Sequence, residues 1–89
     1  MTAVELIAWN LRRLRVARGL SQEALAVDAQ VDRTHFSRIE RGLVNPTVIV
    51  LERMALALDI RIVELFAVPR KGAKPPKPLP PGRKTGSGR

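Results

Sequence analysis

The stretch SQEALAVDAQVDRTHFSRIERG, from Ser21 to Gly42, decides the fold of this chain. It holds two short helical patterns, which begin at Ser21 and Asp32, and both residue types cap helix N-termini. Only a few residues separate the two patterns, so the predicted helices must cross at a steep angle. The positions that this crossing requires to be apolar or small hold Leu25, Ala26, Ala29, Val31, Phe36 and Ile39. The stretch therefore predicts a helix-turn-helix unit.

The sequence on either side of this unit adds three more predicted helices. Thr2 and Glu5 have the spacing of a capping box that begins the first helix, and Gly19 ends it. Pro46 and Thr47 begin the fourth helix, and residues 61–66 form a short fifth. Apolar residues recur every three or four positions, and no strand-like alternation of useful length occurs. The sequence predicts an all-α fold of five helices.

Charge divides the chain of 89 residues into two parts. The net charge is +8, which favours an anionic partner, nucleic acid before a membrane surface. Residues 1–66 hold all eight acidic residues and nine arginines, whereas residues 67–89 hold seven cations, no acid and most of the proline. Such a composition cannot bury enough apolar surface to offset its ordering entropy. We predict a folded domain over residues 1–66 and a disordered, basic Pro/Gly-rich tail over residues 67–89.

Several classes of protein do not fit the composition. The chain has no cysteine and one histidine, and we expect no metal, cofactor or small-molecule ligand. It lacks a phosphate-binding lysine loop, a GxGxxG motif and a carboxylate pair in an apolar stretch, so we expect no enzyme. No apolar run approaches the length of a membrane span, and the N-terminus lacks the basic segment of a secretory signal. We expect a cytoplasmic protein with no membrane partner.

The third predicted helix has two chemically distinct faces. Phe36 and Ile39 share the apolar face. The opposite polar stripe consists of Arg33, Thr34, Ser37, Arg38 and Arg41. An arginine can grip guanine O6 and N7 in the major groove, and a threonine methyl can contact that of thymine. In isolation, such a stripe is more often only a solvated surface. Within a helix-turn-helix unit, we predict that Arg33, Thr34 and Arg38 read bases, with Ser37 beside them.

The sequence resembles the phage-repressor and Cro-like (Xre) helix-turn-helix family. The matching runs are LRRLRVARGLSQEALA from Leu11 to Ala26, SRIERG from Ser37 to Gly42 and NPTVIVLERMALAL from Asn45 to Leu58. The resemblance covers about residues 5–66 and implies a lambda-repressor-like domain that reads bases from the third helix. Gln30 departs from it, because the family usually has glycine at this left-handed turn position. A non-glycine residue there costs roughly 1 kcal/mol or more.

Further residues have predicted roles other than base reading, some of them implied by the resemblance. The family places a glutamine such as Gln22 against the DNA backbone, where the N-terminus of the second helix favours phosphate. Ser21 lies beside it, and His35 and Arg41 are further candidates for backbone contact. The family pairs the positions of Arg15 and Glu40, so the resemblance implies a salt bridge that joins the first and third helices. The plainer alternatives are a helix cap at Ser21 and a neutral surface residue at His35.

The fourth and fifth predicted helices carry surplus apolar residues. The candidates for a homodimer interface are Ile49, Val50, Ile62, Val63 and Phe66. The alternative is that they are scattered surface hydrophobes, which are common. Their concentration in one region favours the dimer.

The sequence therefore favours a sequence-specific, DNA-binding transcriptional regulator. It would bind a palindromic operator on double-stranded DNA as a homodimer and act by promoter occupancy, as a restriction-modification control protein or small repressor does. The alternative is an antitoxin or other protein-interaction module with autoregulatory DNA binding. Membrane-surface binding through the tail is a weaker choice. Residues 78–83, PLPPGR, also fit a polyproline ligand pattern, although such patterns arise freely in proline-rich tails.

Overall fold

The computed structural model describes residues 1–76, and these form a small bundle of helices. The elements are α1 (Ala3–Ala17), α2 (Gln22–Ala29), α3 (Arg33–Glu40), α4 (Val48–Leu58) and a 3-10 helix (Ile62–Phe66). The described residues contain no strand, which agrees with the predicted all-α class. The predicted tail begins with a segment over residues 67–76 that has no helix. Residues 77–89, which include the PLPPGR pattern, lie outside the described residues.

The prediction of five α-helices was wrong at the fifth helix. The segment is only five residues long, and its bonds span three residues, as from the Glu64 N–H to the Arg61 carbonyl at 3.0 Å. The β-branched Ile62 and Val63 occupy its first turn, and such residues lose rotamer freedom in an α-helix. The segment closes as a 3-10 helix, which suits short pieces.

The first three α-helices begin at the capping residues that the sequence predicts, and Thr47 caps the fourth. The side chains of Ser21, Asp32 and Thr47 each accept a hydrogen bond from the backbone N–H three residues later, at 3.0–3.1 Å. Thr2 and Glu5 form the predicted capping box, with reciprocal bonds of 2.8 and 3.1 Å. The bond from the Thr2 backbone N–H lowers the pKa of the Glu5 carboxyl below its ordinary value. Local sequence therefore fixes where the helices start.

The predicted apolar positions of the helix-turn-helix unit form the centre of the core. Five of them expose at most 2% of their surface, and Val31 is half-buried against them. The five are Leu25, Ala26, Ala29, Phe36 and Ile39. Helix α2 packs on α4, and α1 packs on both α3 and the 3-10 helix. The apolar side of α3 is thus packed against α1 and α2.

The turn between α2 and α3 has the left-handed backbone that the resemblance implies. Gln30 adopts φ 57° and ψ 44°, and the Val31 N–H donates to the Ala26 carbonyl at 2.9 Å to close the turn. Asp59 adopts the same conformation at the end of α4, with φ 56° and ψ 48°. Aspartate is several-fold enriched at positive φ among non-glycine residues. The left-handed conformation is therefore more costly at Gln30 than at Asp59.

A buried ion pair fixes α3 against α1. Arg15 donates from Nε to Glu40 Oε2 at 2.7 Å and from Nη2 to Oε1 at 2.8 Å. Its Nη1 donates to the Leu20 carbonyl at 2.7 Å, and both charged residues are only 7% exposed. The Gln22 side chain donates from Nε2 to Glu40 Oε1 at 3.0 Å. The salt bridge implied by the resemblance is confirmed, and the same carboxylate also reaches α2.

Asn10 makes a second buried polar link, which the sequence analysis missed. It is 1% exposed, and its Nδ2 donates to the carbonyls of Leu65 at 3.0 Å and Ala67 at 2.8 Å. These bonds tie the end of the 3-10 helix to α1. Asn10 follows Ile7 by three residues and precedes Leu14 by four, so it lies on the apolar face of α1. A polar residue on the apolar face of a predicted helix is the sequence feature that could have identified this link.

No helix within residues 1–76 is both long enough and apolar enough to span a lipid bilayer.

Replacing Gln30 with glycine should stabilise the domain modestly. The change relieves about 1–2 kcal/mol of left-handed strain, whereas the added freedom of the unfolded chain offsets about 0.4–1 kcal/mol. A net gain of about 0.5–1 kcal/mol should raise the midpoint of thermal unfolding by a few degrees. Gln30→Ala is the control, because alanine keeps the strain. Equal midpoints for the two variants would contradict this account.

Removing the Glu40 carboxylate should destabilise the domain severely. Glu40→Ala leaves Arg15 charged and buried without its partner, which typically costs about 3–5 kcal/mol. That loss is a large fraction of the roughly 5–15 kcal/mol that stabilises a natural domain. Urea unfolding followed by circular dichroism measures it. The exposed Glu52 provides the matched control, since Glu52→Ala removes the same group from the surface of α4. A comparable loss in both variants would refute the structural role of the pair.

Candidate nucleic-acid interface

The outward face of α3 presents the predicted base-reading side chains to solvent. Arg33, Thr34 and Arg38 are exposed or only partly covered, and Ser37 and His35 lie beside them. Phe36 and Ile39 anchor the opposite face in the core. The stripe predicted from the sequence is therefore accessible to solvent, while the opposite side of α3 packs in the core.

Arg33 has a partner that the sequence analysis missed. Its Nη1 lies 3.1 Å from Glu23 Oε2 on α2, and both side chains are well exposed. Exposed pairs of this kind contribute about 0–1 kcal/mol. The Arg33 guanidinium can therefore exchange Glu23 for another partner at little cost in free energy.

Three of the four predicted backbone-contact residues lie at two helix ends that the structure brings together, whereas His35 lies in the first turn of α3. Ser21 and Gln22 are half-buried at the start of α2, and Arg41 is exposed at the C-cap of α3. The bond from Gln22 to Glu40 joins these two ends. The side chain of Gln22 therefore points inward in part. The first N–H groups of α2 have no acceptor within the helix, as at any helix start.

Arginine supplies most of the charge on the exposed side of α3, where Asp32 caps the helix. Asp32 accepts the backbone N–H of His35 as the N-cap of α3. No cluster of three or more histidine, aspartate or glutamate side chains within the described part of the chain could hold a metal ion. Arginines 33, 38 and 41 dominate the charge on the outer side of α3.

The predicted dimer residues differ in how far they face solvent. Ile49, Ile62, Val63 and Phe66 are exposed, whereas Val50 is half-buried and packs against the core. The sequence analysis overlooked Leu56, which is 75% exposed. It follows Ile49 by seven residues on α4, so the two share the outer side of that helix. Helix α4 is also in contact with the 3-10 helix.

Comparison with known proteins gives a consistent result. A family model for the helix-turn-helix domain matches residues 6–65. A hypothetical transcription factor from Neisseria meningitidis serogroup B is 38% identical over 68 residues, which are 76% of this chain and 64% of that protein. This chain therefore matches somewhat less than two thirds of that relative.

Solved structures of two controller proteins share the fold. The restriction-modification controller C.AhdI from Aeromonas hydrophila superposes with a TM-score of 0.69 and 41% identity, over 71% of this chain and 96% of that one. C.Esp1396I, solved as a tetramer in complex with its natural 35 base-pair operator, gives a TM-score of 0.68 and 30% identity, over 74% of this chain and 87% of that one. The predicted family is confirmed: this chain belongs to the helix-turn-helix family of DNA-binding transcription regulators, together with the phage-repressor and Cro-like (Xre) proteins.

Proposed function

We propose that this protein is a sequence-specific transcriptional regulator that binds a palindromic operator as a homodimer and acts by promoter occupancy. The observation that carries the proposal is the outward row of Arg33, Thr34 and Arg38 on a helix whose apolar side is fully buried. A short helix that presents such groups fits the major groove. Its similarity to a transcription factor and to restriction-modification controller proteins supports the same function.

Each residue group has a role set by its position. Arg33 and Arg38 lie five residues apart on α3 and offer planar donors to guanine edges, while the Thr34 methyl offers an apolar contact to thymine. Ser37 lies between them. Ser21, Gln22, His35 and Arg41 flank this row and would contact phosphates, which position the helix without reading sequence. Glu40 contacts no DNA in this scheme but orients both α2 and α3.

The length of α3 is the reason for proposing a dimer. Its eight residues span about 12 Å, which is only three or four base-pair steps. Two copies related by a two-fold axis would read two half-sites, typically 34–36 Å apart. Ile49 and Leu56 on α4, with Ile62, Val63 and Phe66 on the 3-10 helix, offer the apolar surface for this contact. The operator-bound tetramer of C.Esp1396I is a precedent for assembly in a similar protein.

Substituting Arg33 or Arg38 should reduce the preference for the operator sequence more than it reduces DNA binding in general. A consensus duplex can be selected from a random pool with the full chain and compared with the DNA upstream of the gene. Arg33→Ala and Arg38→Ala should each lower affinity for that duplex by about 5- to 150-fold, since one good base contact discriminates by about 1–3 kcal/mol. Affinity for unrelated DNA should fall much less. Fluorescence anisotropy at fixed salt measures both.

Arg61→Ala is the matched control for these substitutions. Arg61 is exposed ahead of the 3-10 helix, so its loss removes the same charge away from α3. It should leave the ratio of specific to unrelated binding unchanged. Unaltered specificity in both α3 variants would show that other residues read the operator.

Charge placed on the outer side of α4 should separate the protomers. Ile49→Glu or Leu56→Glu should raise the dimer dissociation constant at least about tenfold, because each buried apolar side chain contributes roughly 1.5–3 kcal/mol. Sedimentation equilibrium at micromolar concentration measures it. Val27→Glu on α2 is the control, since Val27 is 70% exposed and lies on another helix. A wild-type chain that stays monomeric would overturn the homodimer and leave this surface for a different protein, as the antitoxin alternative requires.

A further inference from the structure

The chain continues past the 3-10 helix as a segment that lies along α1, and we call residues 67–76 the strap. Asn10 holds its start through two bonds from Nδ2 to backbone carbonyls, at 2.8 and 3.0 Å. Pro69 and Pro76 are half-buried, while residues 70–75 between them are exposed. The domain therefore covers part of both ends of the strap and leaves its middle in solvent.

A tight turn in the middle of the strap carries its cations. The Ala73 N–H donates to the Arg70 carbonyl at 2.9 Å, and Gly72 within this turn has φ 82°. A side chain at position 72 would meet open space but would strain this left-handed backbone. Arg70, Lys71 and Lys74 are exposed around the turn. The turn thus gathers three positive charges on one short segment.

The strap and α1 line a groove between them, which we call the strap groove. Helix α1 contributes Trp9, Asn10 and Arg13, and the strap contributes Arg70 and Lys74 together with apolar side chains. None of the described residues that line the strap groove is acidic. Arg13 Nη2 donates to Asn10 Oδ1 at 3.1 Å, but that acceptor is neutral. Three positive charges therefore converge there without a lining carboxylate to balance them.

Converging positive charges favour an anion in the strap groove. Like charges repel each other, and the repulsion is stronger at low ionic strength, where screening is weak. A bound anion replaces this repulsion by attraction. The guanidinium groups of Arg13 and Arg70 also carry planar N–H donors that match the oxygens of a phosphate. The strap groove therefore has the chemistry that suits phosphate.

A second groove connects the strap groove with the end of α3. Trp9 lines both grooves. Arg12 and Arg41 line the second one, and both are exposed. The chain segments are in close contact here, because a Cβ atom added at Gly42 would lie 3.9 Å from that of Ala8. Cations therefore follow one another from the C-cap of α3, across α1, to the strap.

The acidic groups that line the second groove already have partners. Glu5 accepts the backbone N–H of Thr2, and Glu40 accepts bonds from Arg15 and Gln22. Within the described part of the chain, neither carboxylate forms an ion pair with the exposed arginines of this groove. The surface between α3 and the strap consequently keeps its positive charge.

We infer that Arg12, Arg13, Arg41, Arg70 and Lys74 form a basic track that binds the DNA backbone beside the half-site, with the strap groove holding the phosphates farthest from α3. The track begins at the C-cap of the proposed reading helix, and a DNA strand offers it a regular row of negative charges. Such contacts position a protein on the duplex without reading its sequence. The inference rests on the proposed function and adds a binding site outside the helix-turn-helix unit.

Removing the cations of the strap groove should remove phosphate contacts without changing sequence preference. Arg13→Gln, Arg70→Gln and Lys74→Gln are combined in the full chain, because glutamine is polar but uncharged. Hydroxyl-radical footprints on the selected duplex, extended at each end by about one helical turn, should lose flanking backbone protections. The slope of log affinity against log salt should become shallower by about 0.9 for each lost phosphate, up to roughly 3 per protomer. The preference over a scrambled duplex should stay the same.

A matched control removes the same charge elsewhere. Arg18→Gln, Arg53→Gln and Arg61→Gln replace exposed arginines at the end of α1, on α4 and ahead of the 3-10 helix. This variant should keep the flanking protections and most of the salt dependence. A further variant with only the two strap substitutions leaves α1 unaltered, so it remains informative if thermal unfolding shows that the triple variant is destabilised. It should also lose flanking protections.

Trp9 provides a direct reporter, because it is the only tryptophan in the sequence and lines both grooves. Its fluorescence should change when the extended duplex binds, and much less with a duplex trimmed to the half-sites. Sodium tripolyphosphate offers the same chemical group in free form, and should act only at much higher concentration than the duplex. A response to tripolyphosphate at lower concentration would assign the strap groove to a free phosphate ligand and overturn the inference.

The outcomes separate this inference from the proposed function. Flanking protections and salt dependence that persist in both strap-groove variants would show that the track does not touch DNA, and would leave an acidic protein as its partner. Equal losses in the matched control would show that overall charge, rather than the track, is responsible. In either case, central protections that disappear with Arg38→Ala would still support α3 as the reading helix. The absence of any sequence-specific binding would overturn the proposed function itself.

Discussion

The carboxylate of Glu40 is the constraint on which the rest of the structure depends. It accepts two bonds from Arg15 on α1 and one from Gln22 on α2 while belonging to α3, so one group joins three helices. Two charges can remain this deeply buried only when most of their bonding capacity is used, because desolvation is otherwise too costly. The Leu20 carbonyl completes the set on the arginine side. Directional bonds therefore fix the angle of α3 more tightly than non-directional apolar packing could.

The remaining stability of the domain comes from a small core with polar links at its edges. A chain of this length buries only a modest fraction of its surface. The free energy gained from apolar burial therefore exceeds the conformational entropy cost of folding by only a small amount. The Arg15–Glu40 pair joins α1 to α3, and Asn10 joins α1 to the end of the 3-10 helix. Both links start from α1, which makes that helix the central support of the fold.

Sequence predicted the features that depend on near neighbours. Thr2, Ser21, Asp32 and Thr47 cap their helices through atoms three residues away. The left-handed conformation of Gln30 was implied by the family resemblance. The Arg15–Glu40 pair spans 25 residues, and only the family resemblance supplied it.

Features that depend on distant partners were missed or only partly predicted. The acceptors of Asn10 lie 55 and 57 residues away, and the pairing of Arg33 with Glu23 depends on how α2 crosses α3. Val50 was predicted to lie at the dimer surface as a surplus apolar residue of α4, but it packs against the core, whereas Leu56 is exposed. The base-reading and dimer assignments remain predictions at the level of single residues.

Under the proposed function, the exposed pair of Arg33 and Glu23 would affect how the protein searches a genome. Against a mismatched base, Arg33 can keep its carboxylate partner, so an unproductive encounter gains nothing from this arginine and ends quickly. Against a matching guanine, the proposed contact replaces one weak pair by a stronger bidentate one. Glu23 also repels nearby phosphates whenever the arginine does not neutralise it. An acidic residue beside the proposed reading helix would thus shorten residence on wrong sites and raise the ratio of specific to non-specific binding, which governs occupancy in a genome full of competing sites.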